Sequence, residues 1–265
     1  IDDVQALSGY IIFNGKALAR NRSELTRLLR DVYTSARFDE KERIREIIAQ
    51  IRARREQAVT GSGHALAMGA ASQGMSPGAW LSFRLGGLAG IRGTKQLDQA
   101  LKDPEELTAL CDKLSALHEK IGKQGLEFLV IGEEDQLPAM VDDLKSCWRD
   151  ASGAGIAGWK MEPVNYTTRE AWLTSTQVNF CSKAYSTVAV DHPDAAALTV
   201  LGGFLRNGYL HRAIREKGGA YGGGAGQDSV NGTFRFFSYR DPRLEETLDD
   251  FDAALAWLQD NDHDY

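Results

Sequence analysis

Apolar positions along this chain switch between strand-like runs and helical spacing, and the switches divide it into elements. Gly9 to Leu18, "GYIIFNGKAL", is rich in aromatic and β-branched residues and ends at the polar "ARNRS", so it predicts a strand. Behind it Leu25, Leu28, Leu29 and Val32 recur at helical spacing, with Asn21 or Ser23 available as a cap. Ile44, Ile47, Ile48 and Ile51 carry a second helix from a cap at Asp39 to about Thr60. "TGSGH" at 60–64 interrupts the pattern, the small-residue helix "ALAMGAAS" follows, and "SPG" at 76–78 places Pro77 where a first helical turn accepts it. Leu107, Leu110, Leu114 and Leu117 mark a helix from Pro104 to about Lys120, and "LEFLVIG" at 126–132 predicts a buried strand.

From Glu133 to Thr174, including the run "ASGAGIAG" at 151–158, no period is sustained. Alternation returns in "TQVNFCSKAYSTV" at 176–188, which predicts a strand. Asp191 and Pro193 then open a helix through Leu198, Leu201 and Leu205, with a break expected at Asn207-Gly208. A further helical piece, "YLHRAIREK", ends at Gly218-Gly219, where glycine can take the left-handed cap conformation. Beyond it, Tyr221 to Asp228 is expected to pair with Thr233 to Arg240 through a type I′ turn at Asn231-Gly232, and an amphipathic helix starts near Leu244. The fold class expected is α+β: two α/β domains, each an antiparallel or mixed sheet with helices on one face. Their division is 1–135, a connection at 136–175, and 176–265, the last incomplete at its C-terminal end.

Composition narrows the functions this pattern can serve. The 265 residues are 43% hydrophobic and 26% charged, ordinary for globular domains. A net charge of -6 argues against nucleic acid or an anionic membrane as partner. No apolar run reaches the roughly 20 residues of a membrane span. Cys111, Cys147 and Cys181 are odd in number and form no CxxC, which fits a reducing compartment, and a cytoplasmic location is expected, with an organelle or the periplasm as alternatives. The chain begins without Met and breaks off in a helical pattern, so a piece of a longer product is expected.

The glycine-rich stretch from Ile214 to Pro242, "IREKGGAYGGGAGQDSVNGTFRFFSYRDP", has two readings. It holds no GxGxxG or GxxxxGK[ST], and its helix precedes the glycines, so it is no phosphate cradle. One reading is purely structural, a helix C-cap followed by a glycine-rich strand. The other is a peptide site. Arg215 in the last helical turn and Tyr221 after the cap could hold one carbonyl oxygen, since a guanidinium is a permanent cation and a tyrosine hydroxyl a neutral donor. Gly222, Gly223 and Gly224 would let an extended peptide backbone approach the strand. His64 is read as structural or capping, His211 as surface or cleft lining, and Tyr239, Arg240 and Asp241 as strand-end and turn residues.

"YLHRAIREKGGAYGGGA", "FRFFSYRDP", "SGYIIFNGKALARN" and "TGSGHALAMGAAS" resemble the C-terminal half of presequence-protease-like zinc metallopeptidases of the pitrilysin and insulinase group, and the resemblance spans nearly the whole chain. It implies a clamshell enzyme that degrades unstructured oligopeptides. In such an enzyme the zinc sits on an H-x-x-E-H motif in the N-terminal half, and the C-terminal half closes over it. It also implies that Arg215 and Tyr221 reach the substrate carbonyl from across the cleft. None of His64, His118, His192, His211 and His263 lies in an H-x-x-E-H or H-E-x-x-H motif, so no cofactor is expected in this chain and zinc is expected in the other half. The partners implied are the peptide and that N-terminal half. The alternative is a non-catalytic scaffold or peptide-binding subunit of the same group.

Overall fold

Strand β3 must satisfy its backbone on both sides, and its neighbours do so. In the computed structural model, which describes residues 3–149 and 160–263, β1 (Ser182–Ser186) and β2 (Gly222–Asp228) both pair antiparallel with β3 (Thr233–Tyr239). The order β1-β3-β2 leaves β2 at an edge. Strand pleating sends alternate residues to opposite faces. Phe234, Phe236 and Ser238 are buried on one face of β3, and Arg235, Phe237 and Tyr239 lie half-buried on the other.

The first face carries the core. Phe236 meets Phe251 of α9 (Glu245–Asp260) at 5.5 Å between centroids, and Leu205, Leu210 and Ile214 join the same cluster from α8 (Ala195–Leu205) and the π-helical segment Arg206–Lys217. Gly202 allows α8 to lie almost on the strand, since a Cβ there would stand 2.8 Å from the Ala225 carbonyl oxygen and 2.9 Å from Gly226 Cα. On the other face α3 (Gly63–Ser72) packs against β1 and β3. Helices therefore cover both faces of this sheet, where the resemblance implies one.

Packing divides the chain into two units that cut across the linear segments. One joins Ile1–Leu7, Gln50–Gln96 and Lys160–Tyr265 and holds the sheet. It also holds α4 (Pro77–Leu85), whose N-cap Ser76 accepts from the Ala79 N–H at 3.2 Å, with Pro77 in the first turn. The other joins Ser8–Ala49 and Leu97–Trp159. In it α1 (Arg22–Ser35) is tied to α7 (Leu137–Cys147) by Arg22 and Ser23, both 2.9 Å from Asp143. Leu101, Leu107 and Cys111 form its small core with Ile44 and Ile48. Helices α2 (Lys41–Gly61) and α5 (Leu88–Ala100) contribute residues to both units, and α6 (Pro104–Ile121) starts on an Asp103 cap that accepts from the Glu105 N–H at 2.9 Å.

Several expectations need correction. Neither 9–18 nor 126–132 forms a strand. Tyr10, Ile11 and Ile12 are exposed, as are Phe128, Leu129 and Ile131, so the apolar content finds no sheet to enter. β-Propensity describes fit to a pleated surface and cannot supply the partner strand. Asn207-Gly208 does not break the helix: the turns continue, and Gly208 is the place where the Trp257 ring comes too close for any Cβ. The unperiodic region 133–174 contains α7, while its run at 151–158 lies outside the described residues. The hairpin forms, but not through a type I′ turn. Only Gly232 has positive φ (+60°), and Asn231 instead bonds back to Asp228 through its side-chain amide at 2.8 Å and its backbone N–H at 3.2 Å.

Candidate functional site

The site begins where the π-helical segment stops. Gly219 takes φ +79°, the left-handed conformation available to glycine. The Gly219 and Ala220 N–H groups fold back onto the Arg215 and Ile214 carbonyls, both at 3.1 Å. The chain reverses there, and Tyr221 enters the sheet, its N–H donating to the Arg240 carbonyl at 3.3 Å. The reversal brings the Arg215 guanidinium carbon to 5.9 Å from the centre of the Tyr221 ring. The two candidate residues are thus neighbours across the cap, and Tyr221 is 66% exposed. The glycines after it differ in surroundings. A Cβ on Gly222 would meet no atom within 4 Å, whereas one on Gly223 would stand 2.9 Å from Ile214 and one on Gly224 3.2 Å from Arg206.

Around Tyr221 the fold assembles rings that lie far apart in the sequence. Tyr239 lies edge-on to Tyr221 at 5.7 Å and contacts Phe180 at 5.7 Å and His64 at 4.9 Å. His64 also tilts against Phe237 at 5.6 Å. It sits at the start of α3 without capping it, and its buried Nδ1 has no hydrogen-bond partner. Loss of solvent pushes its pKa below the ordinary histidine value. The alternation of β3 already sets Phe237 and Tyr239 on one face. What no local pattern carries is the arrival of His64 on that face, from 173 residues upstream of Phe237.

His211 Nδ1 lies 3.3 Å from Glu216, and both side chains are about half exposed. Arg240, at φ +50°, ends the strand. Asp241 is fully buried: it accepts from the Thr247 hydroxyl at 2.8 Å and the Arg243 N–H at 2.9 Å, which anchors the turn into α9. Among the described residues no group of three or more His, Cys, Asp or Glu side chains is placed to hold a metal ion. The cysteines are free, with Cys111 and Cys181 buried. No helix among the described residues is long and apolar enough to cross a membrane.

Two family models match parts of this chain. Residues 1–97 match the family described as peptidase M16-C associated, and residues 169–264 match "PreP C-terminal domain". The chain belongs to the presequence-protease family of metallopeptidases. It is 31% identical over 252 residues to the mitochondrial presequence protease of Yarrowia lipolytica, covering 92% of this chain and 25% of that protein. Against the mitochondrial presequence protease of Drosophila melanogaster identity is 31% over 268 residues, covering 98% and 25% respectively. Presequence protease 1 of Arabidopsis thaliana, named as chloroplastic/mitochondrial, is 27% identical over 259 residues, with 96% of this chain and 24% of that protein covered. The chain spans about a quarter of the length of the curated relatives it matches.

Proposed function

We propose that this chain is the substrate-binding C-terminal part of a zinc-dependent endopeptidase acting on unstructured oligopeptides. Arg215 and Tyr221 present a cation and a hydroxyl donor to one peptide carbonyl. The observation that supports this best is their juxtaposition, 5.9 Å across a glycine cap, with the tyrosine exposed to an incoming ligand. Donors aimed where an oxyanion develops stabilise the transition state more than the ground state. The free edge of β2, beginning at the unobstructed Gly222 and continuing through Gly223 and Gly224, offers backbone groups with which an extended peptide can pair. In this reading the metal and the attacking water belong to the N-terminal half, over which this part closes.

The test is kinetic, in the full-length protein. Arg215→Ala and Tyr221→Phe are each expected to lower kcat on the order of 10²-fold, about 3 kcal/mol of transition-state stabilisation, with zinc content and melting temperature unchanged. A Tyr221→Phe enzyme with unchanged kcat removes the tyrosine from the chemistry. Melting temperatures that fall in step with activity would make the pair structural.

A further inference from the structure

Tyr221 is exposed and follows a glycine-rich reversal, so little of its own segment holds the ring in one place. Its ring lies against the Arg215 guanidinium and the Tyr239 ring. Tyr239 is held from several sides. Its hydroxyl donates to the Gly61 carbonyl at 3.4 Å, at the end of α2. His64 packs edge-on against its ring at 4.9 Å, Phe180 lies at 5.7 Å, and the Arg240 guanidinium stands 5.4 Å from the ring centre. Its backbone is fixed in β3 directly opposite Gly222. Because Gly222 carries no side chain, nothing on the facing strand position separates Tyr239 from the residue just before it, Tyr221. The left-handed φ of Arg240, the residue to which Tyr221 is backbone-bonded, ends the regular pleat there and frees Tyr221 from strict alternation of faces.

We propose that Tyr239 is a positioning residue for the peptidase reaction: its ring, braced by His64, Phe180 and the Gly61 carbonyl, sets the direction of the Tyr221 side chain. The inference rests on the role proposed above for Tyr221 and adds its means of orientation. An exposed tyrosine free to sample several rotamers would spend part of its time with the hydroxyl away from the carbonyl. A ring packed edge-on against one side restricts that freedom before substrate arrives. The contribution of Tyr239 is therefore to turnover, and it operates only through the Tyr221 hydroxyl.

That dependence makes the idea testable by a double-mutant cycle in the full-length protein, with kcat, KM and melting temperature measured for Tyr239→Leu, Tyr239→Phe, Tyr221→Phe and the pair Tyr239→Leu/Tyr221→Phe. Tyr239→Leu is expected to lower kcat roughly tenfold with little change in KM. Tyr239→Phe, which keeps the ring, should restore most of that loss. In the Tyr221→Phe background the leucine substitution should have almost no further effect. If Tyr239→Leu lowers kcat by the same factor in both backgrounds, or leaves it unchanged while Tyr221→Phe is slow, the positioning role falls and the reading of Tyr221 stands. If Tyr221→Phe is itself silent, that reading falls and this proposal with it. Should Tyr239→Leu lower the melting temperature by more than about 5 °C, Tyr239→Met, with an unbranched chain that adapts to the same space, takes its place in the cycle.

Discussion

His64 shows how much of this site depends on one side chain's surroundings. Its ring stands between Phe237 and Tyr239, and its Nδ1 is buried without a partner, so the charged imidazolium is disfavoured in the folded state. The unfolded chain has no such bias and takes up a proton near the ordinary histidine pKa of about 6.5. Below that pH the unfolded state binds more protons than the folded one, and linkage requires stability to fall. Denaturant unfolding measured at steps from about pH 7.5 to about pH 5.5 should show a declining free energy, and His64→Phe, which cannot titrate, should lose the part of that decline due to this residue. A His64→Phe protein with an unaltered pH profile would mean that His64 titrates alike in both states. The residue is legible in the sequence only as a histidine at a helix start, because Phe237 lies 173 positions away and Tyr239 further still.

At the scale of elements, glycine does two different jobs in this sheet. In the turn it supplies backbone conformation, at Gly232 with φ +60°. In α8 it supplies proximity, since Gly202 faces the Ala225 carbonyl with no room for a methyl group. Gly202→Ala would improve helix propensity by up to about 1 kcal/mol if nothing else changed. The clash with strand backbone, which cannot swing aside as a side chain can, should reverse that sign and leave a net destabilisation of about 1–3 kcal/mol. Gly203→Ala is the control, because a Cβ there meets nothing within 4 Å and only the propensity gain remains. Melting temperatures of the two variants should move in opposite directions, and a stabilised Gly202→Ala would show that α8 can retreat from β2. The helical spacing of Leu198, Leu201 and Leu205 foretells this helix, but its adjacent glycines are told apart only by which one faces the strand.

For the molecule as a whole, the donor set decides what the chain can do by itself. With no clustered metal ligands among the described residues, the 265-residue chain alone is expected to hold no stoichiometric zinc and to cleave no peptide. Metal analysis of the purified chain, paired with a peptide-cleavage assay, checks both. One tightly bound zinc per chain with chelator-sensitive turnover would overturn the assignment of the metal to the rest of a longer protein. In the function proposed above, the rest of a longer protein carries the metal and this part holds the peptide carbonyl.

Local chemistry by itself determines a good deal of this protein. Leucine and isoleucine spacing places α1, α2, α6 and α8, and Pro77 and Pro104 mark helix starts, because helix periodicity and first-turn preferences are properties of a few neighbouring residues. The Gly218-Gly219 reversal and the β2-β3 hairpin are legible for the same reason, and so is the proximity of Arg215 to Tyr221 across a short cap. The tertiary structure alone decides that "GYIIFNGKAL" and "LEFLVIG" stay outside the sheet, since a strand exists only when another strand accepts its hydrogen bonds. It alone decides that Gly208 admits a tryptophan ring and does not end a helix. It also brings His64 and Phe180 to Tyr239, because side chains distant in sequence meet only after the sheet and α3 have packed, and no short-range pattern encodes that meeting.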